Sequence, residues 1–560
     1  MAPLGGRGRW LLAVLLALAL LATACGSDSG DERVAGDGAD GTASSGAVPD
    51  VSERGDPVYG GSITLGIEAE TNSWLPGTGN FSNPGINVAL AVYDPLLRRD
   101  ESGSPHPYLA KSIEANQALD EWTLELRPGI LFHDGTPLDA QALKTIFDEY
   151  IAVEGSNLAG QVDEVTSLDV VGELTVVYRL SEPNSAFDHV LTGAVGWPFS
   201  PTAAKAAGPD AGSHPVGTGP FVFDSWQRDS RLVVKKNPQY WQEGLPYLDE
   251  VVFRPIPDED TRISSLATGD IDVLQSLRQS AVRRVRDLDG IDRYEHIGNN
   301  SGSAIFNTTR APLDDVRVRR ALALALDQEQ LVEVLGGAGI TPPQDQYFSQ
   351  DSPWYSEAAA AAWPTNDSDE ARSLLDEYVS DPDRSDGQPV GTPISFQFDC
   401  PPDPSLMEIS QLYQAFWAAV GAEVNLNQVE QATHVNQGMA GDYDVKCWRV
   451  GSQDDPYAVF SDAFTEGSAL NFTRFTDPRI DEAIVTLRTT ADNEERKAAV
   501  EAISLVLAEQ VPNTFTAGTL TLLAARSEIK NVDGWVFPDG TLGEGVPGAT
   551  TMLGHVWLTS

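Results

Sequence analysis

The residues best suited to acid–base or nucleophilic chemistry are sparse in this chain of 560 residues, which holds seven histidines and three cysteines. His133 and Asp134 are adjacent, and a histidine beside a carboxylate is the pair that activates a serine nucleophile. No serine in nucleophile-elbow spacing accompanies them, and Gly135 and Pro137 favour a turn here. We therefore interpret the pair as structural, and the sequence offers no catalytic residue.

Motifs for metals, redox chemistry and nucleotides lack their minimum parts. No histidine begins an H-E-x-x-H sequence, and neither C-x-x-C nor G-x-x-x-x-G-K-[ST] occurs. Gly217-Thr218-Gly219 invites a phosphate-binding interpretation, but it lacks the lysine and the strand-to-helix pattern, so a tight turn is favoured. The sequence therefore predicts no metal site and no cofactor.

Cys25 stands where an apolar run ends and polar sequence begins. The run 10–24 follows Arg7 and Arg9, is too short to span a bilayer with any margin, and ends in small residues, as an export signal does. The surrounding residues resemble a bacterial lipobox, with Ala22 at the place of the usual leucine. We expect Cys25 to carry the lipid that anchors the mature chain to the cell membrane. The alternative is a plain secretory signal with an incidental cysteine.

The other two cysteines, Cys400 and Cys447, end or interrupt strand-like runs. An oxidising exterior would permit one disulfide between them, although the sequence does not show that they meet. Two buried single thiols are the alternative.

The composition is that of a large, acidic and well-packed protein. Hydrophobic residues make up 41%, and 536 residues remain after a 24-residue signal, which predicts two or three domains. The formal charge is −45, or near −47 without the signal. Such a surface repels phosphates, which argues against binding of DNA, RNA or anionic lipid surfaces. It would attract a cationic ligand, but solubility alone explains it equally well.

The elements that must position any site begin after a Gly-, Ser- and Asp-rich tether, residues 25–57. Alternating apolar residues predict strands at 59–67, 122–126, 174–180, 231–235, 248–255 and 271–274. Helical spacing predicts helices at 86–93, 136–147, 262–267, 370–378 and 406–420, and one long helix over 316–335. For that long helix, Asp314 or Asp315 is the expected cap and Gly336 the stop. Interleaved strands and helices indicate an α/β or mixed architecture.

Four segments together resemble the family 5 extracellular solute-binding proteins of ABC importers, which include oligopeptide-, dipeptide- and nickel-binding proteins. They follow the family's order over about 200 residues and are Trp122–Leu138, Pro215–Phe221 with Lys236–Trp241, Leu266–Asp272, and Phe306–Thr308 with Pro312–Ala321 and Ala325–Asp327. Weaker similarity runs from residue 60 to the end of the chain.

This resemblance implies an α/β, two-lobed periplasmic-binding-protein-like fold of type II, of the large cluster with an extra subdomain, with mixed sheets and flanking helices. Lobe 1 would comprise residues 58–96, 191–302 and 528–560, the extra subdomain 97–190, and lobe 2 303–527. The two crossings between lobes would form a hinge, with the ligand between the lobes.

The resemblance also places a set of candidate ligand contacts: Phe81, Ser82, Asn83, Gln431, Trp448, Arg449, Ser452 and Asp455. Ser452 stands where peptide receptors carry the acid that pairs with the peptide's amine. A hydroxyl cannot balance an ammonium, so capture of a peptide N-terminus would need Asp454 or Asp455. Arg449 in the cleft would instead favour a carboxylate or phosphate. Each residue could equally be an ordinary surface or strand residue.

The function that the resemblance implies is non-enzymatic capture of a peptide or similarly sized polar solute by an extracytoplasmic lipoprotein, monomeric and anchored to the membrane. Closure of the lobes would deliver the solute to an ABC permease and ATPase complex. A sensing receptor on the same fold is one alternative. A secreted hydrolase is the other.

Overall fold

A ten-stranded mixed β-sheet forms the backbone of the structure, a computed structural model that describes residues 55–402, 404–450, 455–468 and 470–559. The predicted signal, Cys25 and most of the predicted tether lie outside these ranges. No helix within them is both long and apolar enough to cross a bilayer.

The strands are β1 Ser62–Ile67, β2 Leu97–Arg99, β3 Pro105–Pro107, β4 Ala110–Ala115, β5 Glu121–Leu126, β6 Val165–Val170, β7 Thr175–Leu180, β8 Phe221–Gln227, β9 Arg231–Lys236, β10 Glu250–Pro255, β11 Val273–Ser276, β12 Ile291–Phe306, β13 Ser395–Cys400, β14 Glu423–Gln428, β15 Val445–Val450, β16 Gly518–Arg526, β17 Ile529–Lys530 and β18 Trp557–Leu558.

The α-helices are α1 Asn83–Val92, α2 Ala140–Ile146, α3 Phe187–Val190, α4 Pro201–Ala207, α5 Glu259–Thr268, α6 Gln279–Arg286, α7 Val316–Leu324, α8 Gln328–Val334, α9 Glu357–Ala362, α10 Ser368–Ser380, α11 Pro404–Ala419, α12 Gln431–Ala440, α13 Pro456–Phe464, α14 Pro478–Thr489 and α15 Asn493–Gln510. A π-helical turn, Phe147–Ile151, continues α2. Short 3₁₀ helices lie at Ala159–Gln161, Ala194–Gly196, Gly208–Ser213, Pro547–Ala549 and Leu553–His555.

The large sheet has the strand order β14-β13-β15-β12-β16-β11-β1-β10-β9-β8. The long strand β12 pairs antiparallel with β16 along its first part and with β15 along its last part, and the register shifts between Ile297 and Ser301. Strands β4, β5, β7 and β6 form a separate antiparallel sheet. The two halves of the large sheet are therefore joined through β12 and β16.

Buried apolar side chains form two large clusters rather than one. The first cluster draws on residues 63–253, together with Val273 and residues 523–556 from the C-terminal part of the chain. The second cluster draws on residues 304–515. A small third cluster, which includes Ile256, Leu274 and Leu522, lies where α5 and α6 cover β11 and β16. Each large half of the molecule thus has a core of its own.

The predicted strands and most predicted helices are present with ends shifted by a few residues. The single helix predicted over 316–335 is wrong, because the chain forms α7 and α8 instead. Asp315 caps α7 as expected, but Asp327 accepts the backbone N–H of Gln330 and starts a second helix. An aspartate side chain that bonds to the backbone favours a new N-terminus over helix continuation.

Candidate functional site

A polar cavity of about 190 Å³ lies among segments that are far apart in the sequence. One side is built from the β2–β3 turn, His189 and Glu544. The other side is built from β12, the loop 349–354 and Asp455. The lining residues are Arg99, Glu101, Ser102, Gly103, His189, His296, Ile297, Asn299, Ser349, Asp351, Ser352, Pro353, Trp354, Asp455 and Glu544. At roughly 30 Å³ per water molecule, the cavity has room for a small polar group, such as one amino-acid unit.

The β2–β3 side of the cavity carries both signs of charge. Burial raises the pKa of Glu544, while the nearby guanidinium groups of Arg99 and Arg98 lower it. Burial also lowers the pKa of Arg98, whose guanidinium lies 5.4 Å from the centroid of the Trp535 ring. The backbone N–H of Glu544 donates to the carbonyl of Arg99 at 3.3 Å, which fixes the C-terminal segment against the turn.

The opposite wall is a loop fastened to β12. The backbone N–H and the hydroxyl of Ser349 both donate to Oδ1 of Asn299, each at 3.0 Å. Further along the loop, the half-buried ring of Trp354 lies 5.6 Å from the guanidinium of Arg496. This wall therefore offers an aromatic face and amide and hydroxyl groups to a bound solute.

His296 is a neutral hydrogen-bonding group at the cavity. It lies on β12, where burial lowers its pKa. Its Nδ1 is buried and has no hydrogen-bond partner among the described residues. An unpaired buried polar atom is costly, and the described residues offer no group that offsets this cost at Nδ1.

Asp455, the predicted contact nearest to α13, lines the cavity and is 4% exposed. Its Oδ1 accepts the backbone N–H of Tyr457 at 2.8 Å and caps α13. Its Oδ2 accepts a hydrogen bond from Arg496 and lies 3.6 Å from Nε2 of His189. Its carboxylate is therefore already matched by a guanidinium of the same chain.

The other candidate contacts whose side chains are described lie away from this cavity. Phe81 packs against Trp197 with ring centroids 5.3 Å apart, and Ser82 and Asn83 begin α1. Trp448 packs edge-on against Phe472 at 4.6 Å. None of these four lines the 190 Å³ cavity.

Three candidates cannot be placed by their side chains. Gln431 begins α12, and the backbone of Arg449 pairs with Gly302 in β15 and β12, but both side chains lie outside the described part. Ser452 lies outside the described residues altogether. Their roles stay predictions.

The two turns set aside as structural have structural contacts. Nε2 of His133 lies 3.0 Å from the carbonyl of Gly219, and Oδ1 of Asp134 accepts the hydroxyl of Thr136 at 2.6 Å. A Cβ atom added at Gly217 would lie 2.2 Å from the carbonyl oxygen of Val92, so this turn packs directly on α1. Among the described residues, no group of three or more His, Cys, Asp or Glu side chains could hold a metal ion.

Cys400 and Cys447 form a disulfide, which settles the alternative that the sequence left open. They lie on the neighbouring parallel strands β13 and β15, with Cα atoms 5.0 Å apart. Next to Cys447, the amine of Lys446 is buried among aromatic rings. Its Nζ lies 5.0 Å from the ring centroids of Tyr443 and of Trp448, and burial lowers its pKa to about 8.

Sequence reasoning missed most of the cavity. Arg99 ends the short strand β2, and Glu101 and Glu544 lie in loops, none of them with a motif. His296 lies on a strand and Trp354 in a loop, and the two come together only in the tertiary structure. The one available signal was Asp455, which precedes a proline at the start of a helix.

A family model described as bacterial extracellular solute-binding proteins, family 5 Middle, matches residues 104–471, more than half of the chain. Among curated proteins, the glutathione-binding protein GsiB of Shigella flexneri is 30% identical over 276 residues, 48% of this chain and 54% of that protein. GsiB of Escherichia coli strain K12 is similar to the same extent. The chain thus matches about half the length of these relatives.

Solved structures share the fold over nearly the whole chain. The substrate-binding protein CtaP of Listeria monocytogenes has a TM-score of 0.75 at 20% identity, with 90% of this chain and 100% of that one covered. AgaA of A. tumefaciens R10, in complex with agropinic acid, has a TM-score of 0.73 at 21% identity, with 89% and 99% covered. A dipeptide-binding protein of Pseudoalteromonas sp. SM9913, in complex with Met-Leu, has a TM-score of 0.71 at 20% identity, with 89% and 100% covered.

These likenesses confirm the α/β, two-lobed type II architecture that the family resemblance implies. The family match and the GsiB relatives confirm the family resemblance of the four sequence segments. The chain belongs to the bacterial extracellular solute-binding proteins of family 5.

Proposed function

We propose that this protein is an extracytoplasmic receptor that captures a peptide or similarly sized polar solute and delivers it to an ABC permease. The observation that carries the proposal is the polar cavity walled by segments from both sides of the β12–β16 junction. The family match and the names of the relatives, which include glutathione- and dipeptide-binding proteins, support it.

The cavity suits binding rather than turnover. Arg99 supplies a cation, Glu101 and Asp351 supply exposed carboxylates, and His296 supplies a neutral ring nitrogen. These groups would orient the two ends of a zwitterionic solute by charge and hydrogen bonds. We propose that the candidate contacts Phe81, Ser82, Asn83, Gln431, Trp448, Arg449 and Ser452 would meet the rest of a longer solute.

The mechanism would be a shift of population between open and closed arrangements. A solute that touches both walls contributes contacts only when the walls are close, so its binding favours the closed arrangement. The two lobes would be residues 58–96, 191–302 and 528–560 on one side and 303–527 on the other, with 97–190 as the extra subdomain. A lipid on Cys25 would keep the monomeric receptor at the membrane beside its permease.

Identification of the solute tests the proposal directly. The protein is purified from its own host without denaturation, weighed intact by native mass spectrometry, and then denatured so that released molecules can be identified. We expect an adduct that denaturation removes and that is recovered chemically intact. Small-angle scattering should then show a smaller radius of gyration when the solute is returned to the stripped protein.

A matched pair of variants links the solute to the cavity. Trp354→Ala removes the aromatic wall and should weaken binding by about tenfold, because an interface aromatic typically contributes more than 1 kcal/mol. Tyr59→Ala removes an aromatic ring that is 62% exposed and does not line the cavity, and it should leave affinity unchanged. Equal affinities for the two variants, or a radius of gyration that no solute alters, would contradict the proposal.

A further inference from the structure

The segment 182–189 makes a cluster of polar contacts with α14 and α15, about 300 residues further along the chain. The backbone N–H of Ser185 donates to the carbonyl of Arg488 at 2.8 Å. The hydroxyl of Ser185 donates to the carbonyl of Leu487 at 2.9 Å and accepts from the guanidinium of Arg496 at 2.6 Å. One serine thus bridges two distant elements with both its backbone and its side chain.

An ion pair lies on one side of this serine and a histidine–carboxylate contact on the other. Toward solvent, Glu182 pairs with Arg488, and their side chains are 58% and 26% exposed. Toward the interior, Nε2 of His189 lies 3.6 Å from Oδ2 of Asp455, and both of these residues line the cavity. The contact therefore runs from the surface to the cavity wall.

The two partners of this contact belong to different hydrophobic cores. Phe187 and Leu191 are buried in the first large cluster, whereas Leu487 is buried in the second. The bridging contacts themselves are polar and partly exposed, so water competes for them and they can break without opening either core. Because protein groups supply every bond, the contact can form before a solute arrives.

We propose that residues 182–189 act as a latch that holds the two walls of the cavity together in part of the population, independently of solute. This inference rests on the proposed function. A latch that already favours the closed arrangement reduces the differential binding that a solute must supply, and so sets the apparent affinity without touching the solute. Ser185 is its centre, and Glu182 with Arg488 is its outer ion pair.

Amide hydrogen exchange at position 185 reports on the latch without knowledge of the solute. The protein is stripped of bound molecules by unfolding and refolding, and exchange is followed by mass spectrometry on peptides that span 182–191. We expect the amide at position 185 to exchange at least about tenfold more slowly than in the unfolded chain, as a hydrogen-bonded amide does. Exchange at the unfolded rate would overturn the proposal.

Three variants sharpen the test. Ser185→Ala keeps the backbone donor but removes both side-chain bonds, and Glu182→Gln removes the outer ion pair. Each should accelerate exchange at position 185 by about threefold or more. Glu482→Gln makes the same change of charge at an exposed residue of α14 and should leave exchange unaltered. Equal exchange in all three variants would also overturn the latch.

The outcomes separate this inference from the proposed function. A solute that shrinks the radius of gyration while position 185 exchanges freely would leave the receptor function standing and remove the latch. Protection at position 185 in a protein that closes on no solute would remove the receptor function and leave the contact standing.

Discussion

Asp188 is a carboxyl group that the fold holds close to another one. Burial and the negative charge of Asp455 raise its pKa to about 7, while the guanidinium of Arg496 and the backbone N–H of His189 lower it. In the unfolded chain an aspartate titrates near 3.8. Between about pH 4 and pH 7 the folded protein therefore holds one proton that the unfolded chain has released. The stability that this group contributes is complete below about pH 4 and is lost as the pH rises through 7.

We expect Asp188→Asn to remove this loss of stability at high pH. Denaturant titrations at pH 5 and pH 8 should show a smaller decrease in the free energy of unfolding for the variant than for the wild type. Asp289→Asn, at an exposed position, serves as the control and should follow the wild type. A wild-type decrease that survives in Asp188→Asn would contradict the assignment of the proton to this group.

The titration of Lys446 should change stability with pH in the opposite direction to that of Asp188. Burial lowers its pKa from 10.5 to about 8, and the negative charge of Asp399 only partly opposes this effect. Between pH 8 and 10.5 the unfolded chain holds a proton that the folded protein has lost, so this group makes stability rise with pH there.

We expect the free energy of unfolding of Lys446→Met to rise less with pH than that of the wild type. The difference over this pH range should be roughly 1–2 kcal/mol after allowance for solvent screening. The measurement is the free energy of unfolding at pH 7.5, 9 and 10 in wild type, Lys446→Met and the exposed control Lys205→Met. The buried tyrosines titrate in all three proteins and cancel in the differences. Identical pH profiles for Lys446→Met and the wild type would show that the amine titrates normally.

At the scale of elements, the break between α7 and α8 depends on one capping residue. Oδ1 of Asp327 accepts the N–H of Gln330 at 3.0 Å. We expect Asp327→Ala to lower the free energy of unfolding by about 1 kcal/mol, the usual contribution of an N-cap, and Asp327→Asn to lower it by much less. Equilibrium denaturation measures both, and equal losses would mean that the cap contributes little.

The same break shows what the sequence could and could not predict. Local patterns were sufficient where one signal dominated, as in α5, which begins after Asp258 and ends at Gly269 in the left-handed conformation. They failed at Asp327, where helical periodicity and a capping signal competed. The cavity was largely beyond reach, because His296 and Trp354 acquire their roles only when β12 and the loop 349–354 come together.

At the scale of the whole molecule, the net charge of −45 opposes compactness. Salt screens this repulsion over a distance that falls from about 30 Å at 0.01 M to about 8 Å at 0.15 M. We expect the midpoint of thermal unfolding at pH 7 to rise as NaCl is increased from 10 to 300 mM. At pH 4.5, close to the sequence pI of 4.3, the rise should nearly vanish. A salt response of the same size at both pH values would assign the effect to something other than net charge.

The ten-stranded sheet limits how the two halves can move. Strand β12 is bonded to β16 along Ile291–Ile297 and to β15 along Ser301–Phe306, and the two ladders overlap only at Ser301. Each backbone bond that breaks costs free energy, so a movement of the two halves that keeps these bonds is favoured. We expect the remaining motion to be torsion of the strands at the irregular register between Ile297 and Ser301, where the ladder is interrupted. If the protein closes on a solute as we propose, this motion would be small, and relaxation of the twisted strands would help to reopen the molecule after release.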